Sequence, residues 1–170
     1  MFRGSDGTVY VMGSIGQRLM EDFLKAEAEG PVSKVEITSD GGLVQTALEL
    51  ATYIESKRLP VIVRGYCHSA CIHIAIASRE SYADQGAIFG FHRYAPLVPS
   101  KEASTDNSAP ANDEATNFLR AHGVPETVLA IAHKHAGESI YEVTADKMVN
   151  YGAIRGTVSG PKVIRTGSKK

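Results

Sequence analysis

The chain has 170 residues, 43% of them hydrophobic and 22% charged, a balance that suits one soluble domain spanning residues 1–170 with a core of its own. A formal net charge of −1 gives no general attraction to nucleic acid or to an anionic membrane surface. No apolar run approaches the roughly 18 residues that span a bilayer, and Met1 to Ser14 lacks the regions of a secretory signal, so the expected location is cytoplasmic.

Thr8 to Met12 reads as a strand, and Ser14 with Gln17 offers a capping box for a helix that turns Met20, Phe23 and Leu24 inward. Lys34 to Thr38 alternates its faces as a second strand. Beyond Ser39-Asp40-Gly41-Gly42, the stripe Val44, Ala47, Leu48, Ala51 and Ile54 marks a helix. Pro60 to Arg64 is a strand continuous enough to be buried on both faces. The next stretch is ambiguous. Ile72, Ile74 and Ile76 alternate as in a strand, whereas Ala70, Cys71, Ala75 and Ala77 suit a closely packed helix, and periodicity alone favours the strand.

A turn at Asp84-Gln85-Gly86 leads into a strand from Ala87 to His92. Residues 95–112 are rich in Pro, Ser, Ala and Asn and are expected to form a flexible loop. A helical pattern resumes from Asp113 to His122, closed by Gly123, and Pro125 opens another that ends near Gly137. Thr144 caps a short helix through Asn150, and the basic residues 165–170 form a frayed tail. Alternating strands and helices predict an α/β domain with a mostly parallel sheet.

Three features carry chemistry. Gly41 and Gly42, between a strand and a helix, place backbone N–H groups where an oxyanion is favoured, although on this motif alone a tight turn needing positive φ is the plainer account. Ser69 follows a buried strand at the start of the next helix, but a serine hydroxyl needs a neighbouring base, and alone it reads as a cap or core residue. His92 ends a strand before the loop, where an imidazole suits general-base work. Each feature alone is ordinary, and their order is informative.

In that order, from Val35 to Tyr94, the sequence resembles the Clp protease proteolytic subunit family, of the wider Clp protease/crotonase fold. It is most similar to bacterial Clp-protease-like proteins with a Cys-x-Ser-Ala-Cys motif, here Cys67 to Cys71. The resemblance covers Val9 to His92 well and Asp113 to Gly152 loosely. It implies a spiral of ββα units, and a helix after Ser69 in place of the strand that periodicity favours. It also implies Ser69 as nucleophile, His92 as base, and the amides of Gly41 and Ala70 as the oxyanion hole. The family's acid position falls on Ile140, leaving Glu138, Ser139 or Glu142 to orient His92.

The implied activity is serine-type cleavage of peptide bonds in a peptide or protein substrate, with no cofactor. The alternative is a non-catalytic oligomeric scaffold of the same fold. Acyl-CoA chemistry on the crotonase variant fits poorly, since it needs no serine and histidine at these positions. The start at the first strand and the loop after His92 depart from the family's pore-lining segment and ring-stacking extension. These departures point to a smaller homo-oligomer and count against an unfoldase partner.

Cys67 and Cys71 are the only cysteines, and two buried free thiols are expected. A bridge stays open, because four-residue spacing in a helix sits near the upper end of the disulfide range of roughly 4.4–6.8 Å. Such a bridge would point to an oxidising compartment. Cys67, Cys71 and His73 do not converge on one helix face, so no metal site is expected. His133 and His135 point in different directions and read as surface residues.

Overall fold

The computed structural model describes residues 1–93, 113–135 and 139–159. Strand β1 (Phe2–Arg3) and β2 (Thr8–Ile15) lead into helix α1 (Leu19–Ala28), then β3 (Lys34–Gly42) and α2 (Val44–Lys57). Next come β4 (Val61–His68), α3 (Cys71–Ile76), β5 (Ser81–Asp84) and β6 (Ile88–Phe91). After the undescribed stretch follow α4 (Glu114–Ala121), α5 (Glu126–Lys134), β7 (Tyr141–Thr144), α6 (Ala145–Tyr151) and β8 (Gly156–Val158). The expected loop at 95–112, the helix end at Gly137 and the tail at 165–170 lie outside the described residues.

The sheet runs β1-β2-β3-β4-β5-β8, with β6 joined to β4 and β7 joined to β6. Every pairing is parallel except β1 with β2 and β6 with β7. This is the α/β architecture with a mostly parallel sheet that the alternation predicts. Strand β4 is the branch point: Val61 to Val63 pair with β5, whereas Tyr66 to His68 pair with β6. Between those halves the register against β3 slips, because Val63 faces Ile37 while Cys67 faces Ser39. Gly65, at φ +75°, supplies the left-handed step that this bulge needs. Thr38 Oγ1 donates to the Arg64 carbonyl across it at 2.5 Å.

Helix α3 is buried along its whole length, which explains its misleading pattern. A helix with no wet face shows no amphipathic period, so Ile72, Ile74 and Ile76 mimic a strand while packing in every direction. The core includes Phe23, Ile37, Leu50, Ile54, Ile72, Ile74 and Phe89, all fully buried.

Several local expectations need correction. Strand β2 runs on to Ile15, so Ser14 pairs with Gly41 in the sheet and the capping box does not form. The first helix instead starts after Arg18, and its inward stripe is Leu19, Phe23 and Ala26, with Leu24 exposed. Strand β3 continues through Gly42, so the two glycines are sheet residues rather than a connecting turn. The short strands β1, β5, β7 and β8 carry too few residues to show a period. On the sheet face, Arg64 reaches Glu36 through Nε at 2.9 Å and Nη2 at 3.0 Å, and Asp84 through Nη1 at 2.6 Å. That fork of hydrogen bonds holds the Glu36 carboxyl below its usual range.

Candidate active site

Strand β4 ends at His68, and Ser69 then turns the chain at φ +56° before α3 begins. Among the described non-glycine residues only Arg58 and Ser69 have positive φ. Arg58 is an ordinary left-handed helix cap after α2. Ser69 has no such excuse: a left-handed conformation costs an ordinary residue about 1–2 kcal/mol, and such outliers cluster at functional sites. The turn is fixed on both sides. The Ser69 amide donates to the Gly90 carbonyl at 2.7 Å, and its carbonyl accepts from Ile72 N–H at 3.0 Å.

Cys67 and Cys71 are disulfide-bonded, with Cα atoms 5.4 Å apart and both side chains buried. The expected free thiols are therefore corrected. Helical spacing does not apply, because Cys67 is the penultimate residue of a strand and the Ser69 turn folds the pair together. The bridge closes a ring around His68, Ser69 and Ala70. It also uses two of the three residues weighed as zinc ligands. The third, His73, is fully buried, with Nδ1 3.2 Å from the Ala70 carbonyl and Nε2 3.2 Å from the Ala115 carbonyl. Burial pushes the His73 pKa down.

Gly41 lies against this elbow at φ +94°. A Cβ there would sit 2.7 Å from both the His68 carbonyl oxygen and Ser69 Cβ, and 3.1 Å from Ala70 N. Only glycine permits that approach, so the structure brings Gly41, Ser69 and Ala70 together. The Ala70 amide precedes the first turn of α3, where N–H groups have no intrahelical acceptor. The Gly41 amide, in contrast, donates to Ser39 Oγ at 3.0 Å.

His92 is half-buried, one residue past β6 and two past Gly90, which carries the carbonyl bound to Ser69. Its Nδ1 lies 2.8 Å from the Arg93 carbonyl oxygen. A carbonyl only accepts, so in this contact Nδ1 carries a proton.

The acid candidates fall apart differently. Glu142 is exposed on β7, paired with Gly90. Ser139 Oγ is 2.7 Å from His135 Nδ1, so its described partner is His135, which has left α5 and is no free surface residue. Glu138 lies outside the described residues. Sequence reasoning assigned no role to His68 or Ser39. The His68 ring packs over Gly90, where a Cβ would come 2.5 Å from its Cδ2, and its centroid is 5.0 Å from that of Tyr66. His68 meets Gly90 through the parallel pairing of β4 with β6, which no local pattern announces.

No protein-family model matches the chain, and neither does any curated protein sequence. Solved structures do. ClpP1 from Listeria monocytogenes matches with a TM-score of 0.68 at 19% identity, covering 91% of this chain and 92% of that one. The ClpP protease catalytic domain from Plasmodium falciparum matches with a TM-score of 0.69 at 12% identity, over 93% of this chain and 87% of that one. A point mutant of Listeria monocytogenes ClpP1 matches with a TM-score of 0.56 at 20% identity, over 91% of this chain and 92% of that one. The chain therefore has the fold of the Clp protease catalytic subunits.

Proposed function

We propose that the protein is a serine hydrolase that cleaves peptide bonds. The observation that carries this reading is the left-handed Ser69 at the end of β4, pressed against Gly41 and hydrogen-bonded to the strand that leads to His92. Ser69 Oγ attacks the scissile carbonyl carbon while its proton passes to His92 Nε2. The amides of Gly41 and Ala70 hold the oxyanion, a contribution worth roughly 10²–10³ in rate per donor. Collapse breaks the C–N bond, and His92 returns the proton to the leaving amine. Water, activated by the same imidazole, then hydrolyses the acyl-enzyme. None of these steps calls on a cofactor.

A second reading, a non-catalytic scaffold of the same fold, draws support from one contact. Gly41 N–H is already engaged by Ser39 Oγ and must be redirected or shared to meet an oxyanion. A fluorophosphonate probe separates the two. Labelling mapped by mass spectrometry to Ser69, and lost in His92→Ala, supports the hydrolase. Absence of labelling from neutral to mildly alkaline pH supports the scaffold.

The substrate class is a peptide or protein, and the assembly a homo-oligomer, which light scattering on the purified chain tests. No helix among the described residues is long and apolar enough to cross a membrane. The Cys67–Cys71 bridge favours an oxidising compartment over the cytoplasm, since such bonds persist there. Fractionation with thiol-trapping in cells tests that placement.

A further inference from the structure

We propose that Ser39 is a positioning residue of the oxyanion hole, whose hydroxyl holds the Gly41 N–H while the site is empty and yields it to the oxyanion during the reaction. This role rests on the hydrolase reading and names the side chain that governs one of its two donors.

Ser39 is fully buried on β3, in register with Cys67 of the bridged elbow. Its Oγ accepts the Gly41 N–H at 3.0 Å in a buried contact. A buried amide without an acceptor is costly, so the hydroxyl covers this donor when no substrate does. A bond to Ser39 then competes with a bond to the oxyanion. The ionised oxygen wins, because a charge-assisted hydrogen bond is roughly twice as strong as a neutral one. That charge develops only in the transition state, so the handover occurs there.

Whether the hydroxyl helps or hinders depends on what places the Gly41 backbone. On one side Gly41 packs against the elbow, where its Cβ would stand 2.7 Å from Ser69 Cβ and from the His68 carbonyl oxygen. On the other side Gly41 pairs with Ser14 of β2. The next residues are held as firmly: a Cβ on Gly42 would come 2.9 Å from Ile15 N, and the Leu43 amide donates to the Ile15 carbonyl at 2.9 Å. The backbone is thus clamped between β2 and the elbow without the Ser39 hydroxyl. What the hydroxyl adds is occupancy of the donor. Its removal leaves the hole in place and lowers the barrier by the worth of one neutral hydrogen bond, a gain of about threefold to tenfold in rate.

The test uses the full-length oxidised protein labelled with ¹³C-carbonyl aspartate and ¹⁵N-glycine. Only the Asp6–Gly7 and Asp40–Gly41 pairs then give a correlated amide signal. Gly7, whose amide donates to the Gly4 carbonyl at 3.1 Å, is the internal control. In Ser39→Ala the Gly41 amide should exchange with solvent about threefold faster or more, with Gly7 unchanged within about twofold. Ser39→Thr keeps the oxygen and should retain the slow exchange of Gly41. Fluorophosphonate labelling of Ser69 supplies the kinetic arm. Its rate should rise about threefold to tenfold in Ser39→Ala, with the pH profile in place because His92 is untouched. Gly41 exchange unchanged in Ser39→Ala, or a labelling rate that falls or rises by less than about threefold, overturns the proposal. If Ser69 labels in neither protein, the hydrolase reading fails, while Gly41 exchange still decides whether Ser39 holds the amide.

Discussion

Opening the Cys67–Cys71 bridge should destabilise the protein by an amount that its position sets. The bonded residues are separated by 4 in sequence, so the bond closes a very short loop around Ser69. Loop-closure entropy for about five residues corresponds to about 2 kcal/mol at 25 °C. For a domain of this length that lowers Tm by about 4–8 °C. Reduced protein and the Cys67→Ala/Cys71→Ala variant should be compared by calorimetry with the oxidised protein, with thiols counted by mass spectrometry after alkylation. Reduction keeps both buried sulfurs in place and isolates the closure, whereas the alanines add the loss of packing. The same samples should label more slowly with fluorophosphonate, because the bond braces a turn that serine occupies at a cost. Two alkylatable thiols in the native protein after denaturation, or a Tm change below about 1 °C on reduction, would refute the reasoning.

Ser69→Gly should abolish labelling and yet raise stability by about 0.5–1 kcal/mol in urea titration, since glycine accepts φ +56° without strain. Gly41→Ala should cut the labelling rate by roughly 10²-fold or more, because its Cβ meets the Ser69 elbow at 2.7 Å. A rate within threefold of the parent would remove Gly41 from the site. Burial depresses the His73 pKa below the ordinary 6.5. The unfolded chain therefore takes up this proton first, and stability present above pH 6.5 is lost progressively as pH falls below it. His73→Leu should flatten that limb of a stability–pH curve. Arg64→Ala leaves the Glu36 carboxylate nearly buried without its fork, costing about 2–3 kcal/mol. NMR titration should then find the Glu36 pKa raised relative to the parent.

What the amino-acid order determined by itself was local or carried by spacing. The α/β alternation, the helix stripe from Ala47 to Ile54, and the order of glycine, serine and histidine were all legible without coordinates. Helix α3 was legible only through the family resemblance, because a fully buried helix has no polar face to reveal its period. The tertiary structure decided everything that depends on partners distant in the chain. It placed Gly41 against Ser69, joined the end of β4 to β6 rather than β5, and set Ile140 in register beyond Tyr141. It also closed the bridge between two cysteines that the sequence left open. Periodicity records which face of an element is wet, and says nothing of which strand lies beside it. The elbow at Ser69 is built from such neighbours, so only the fold showed that Gly41, Ser69 and Ala70 lie together.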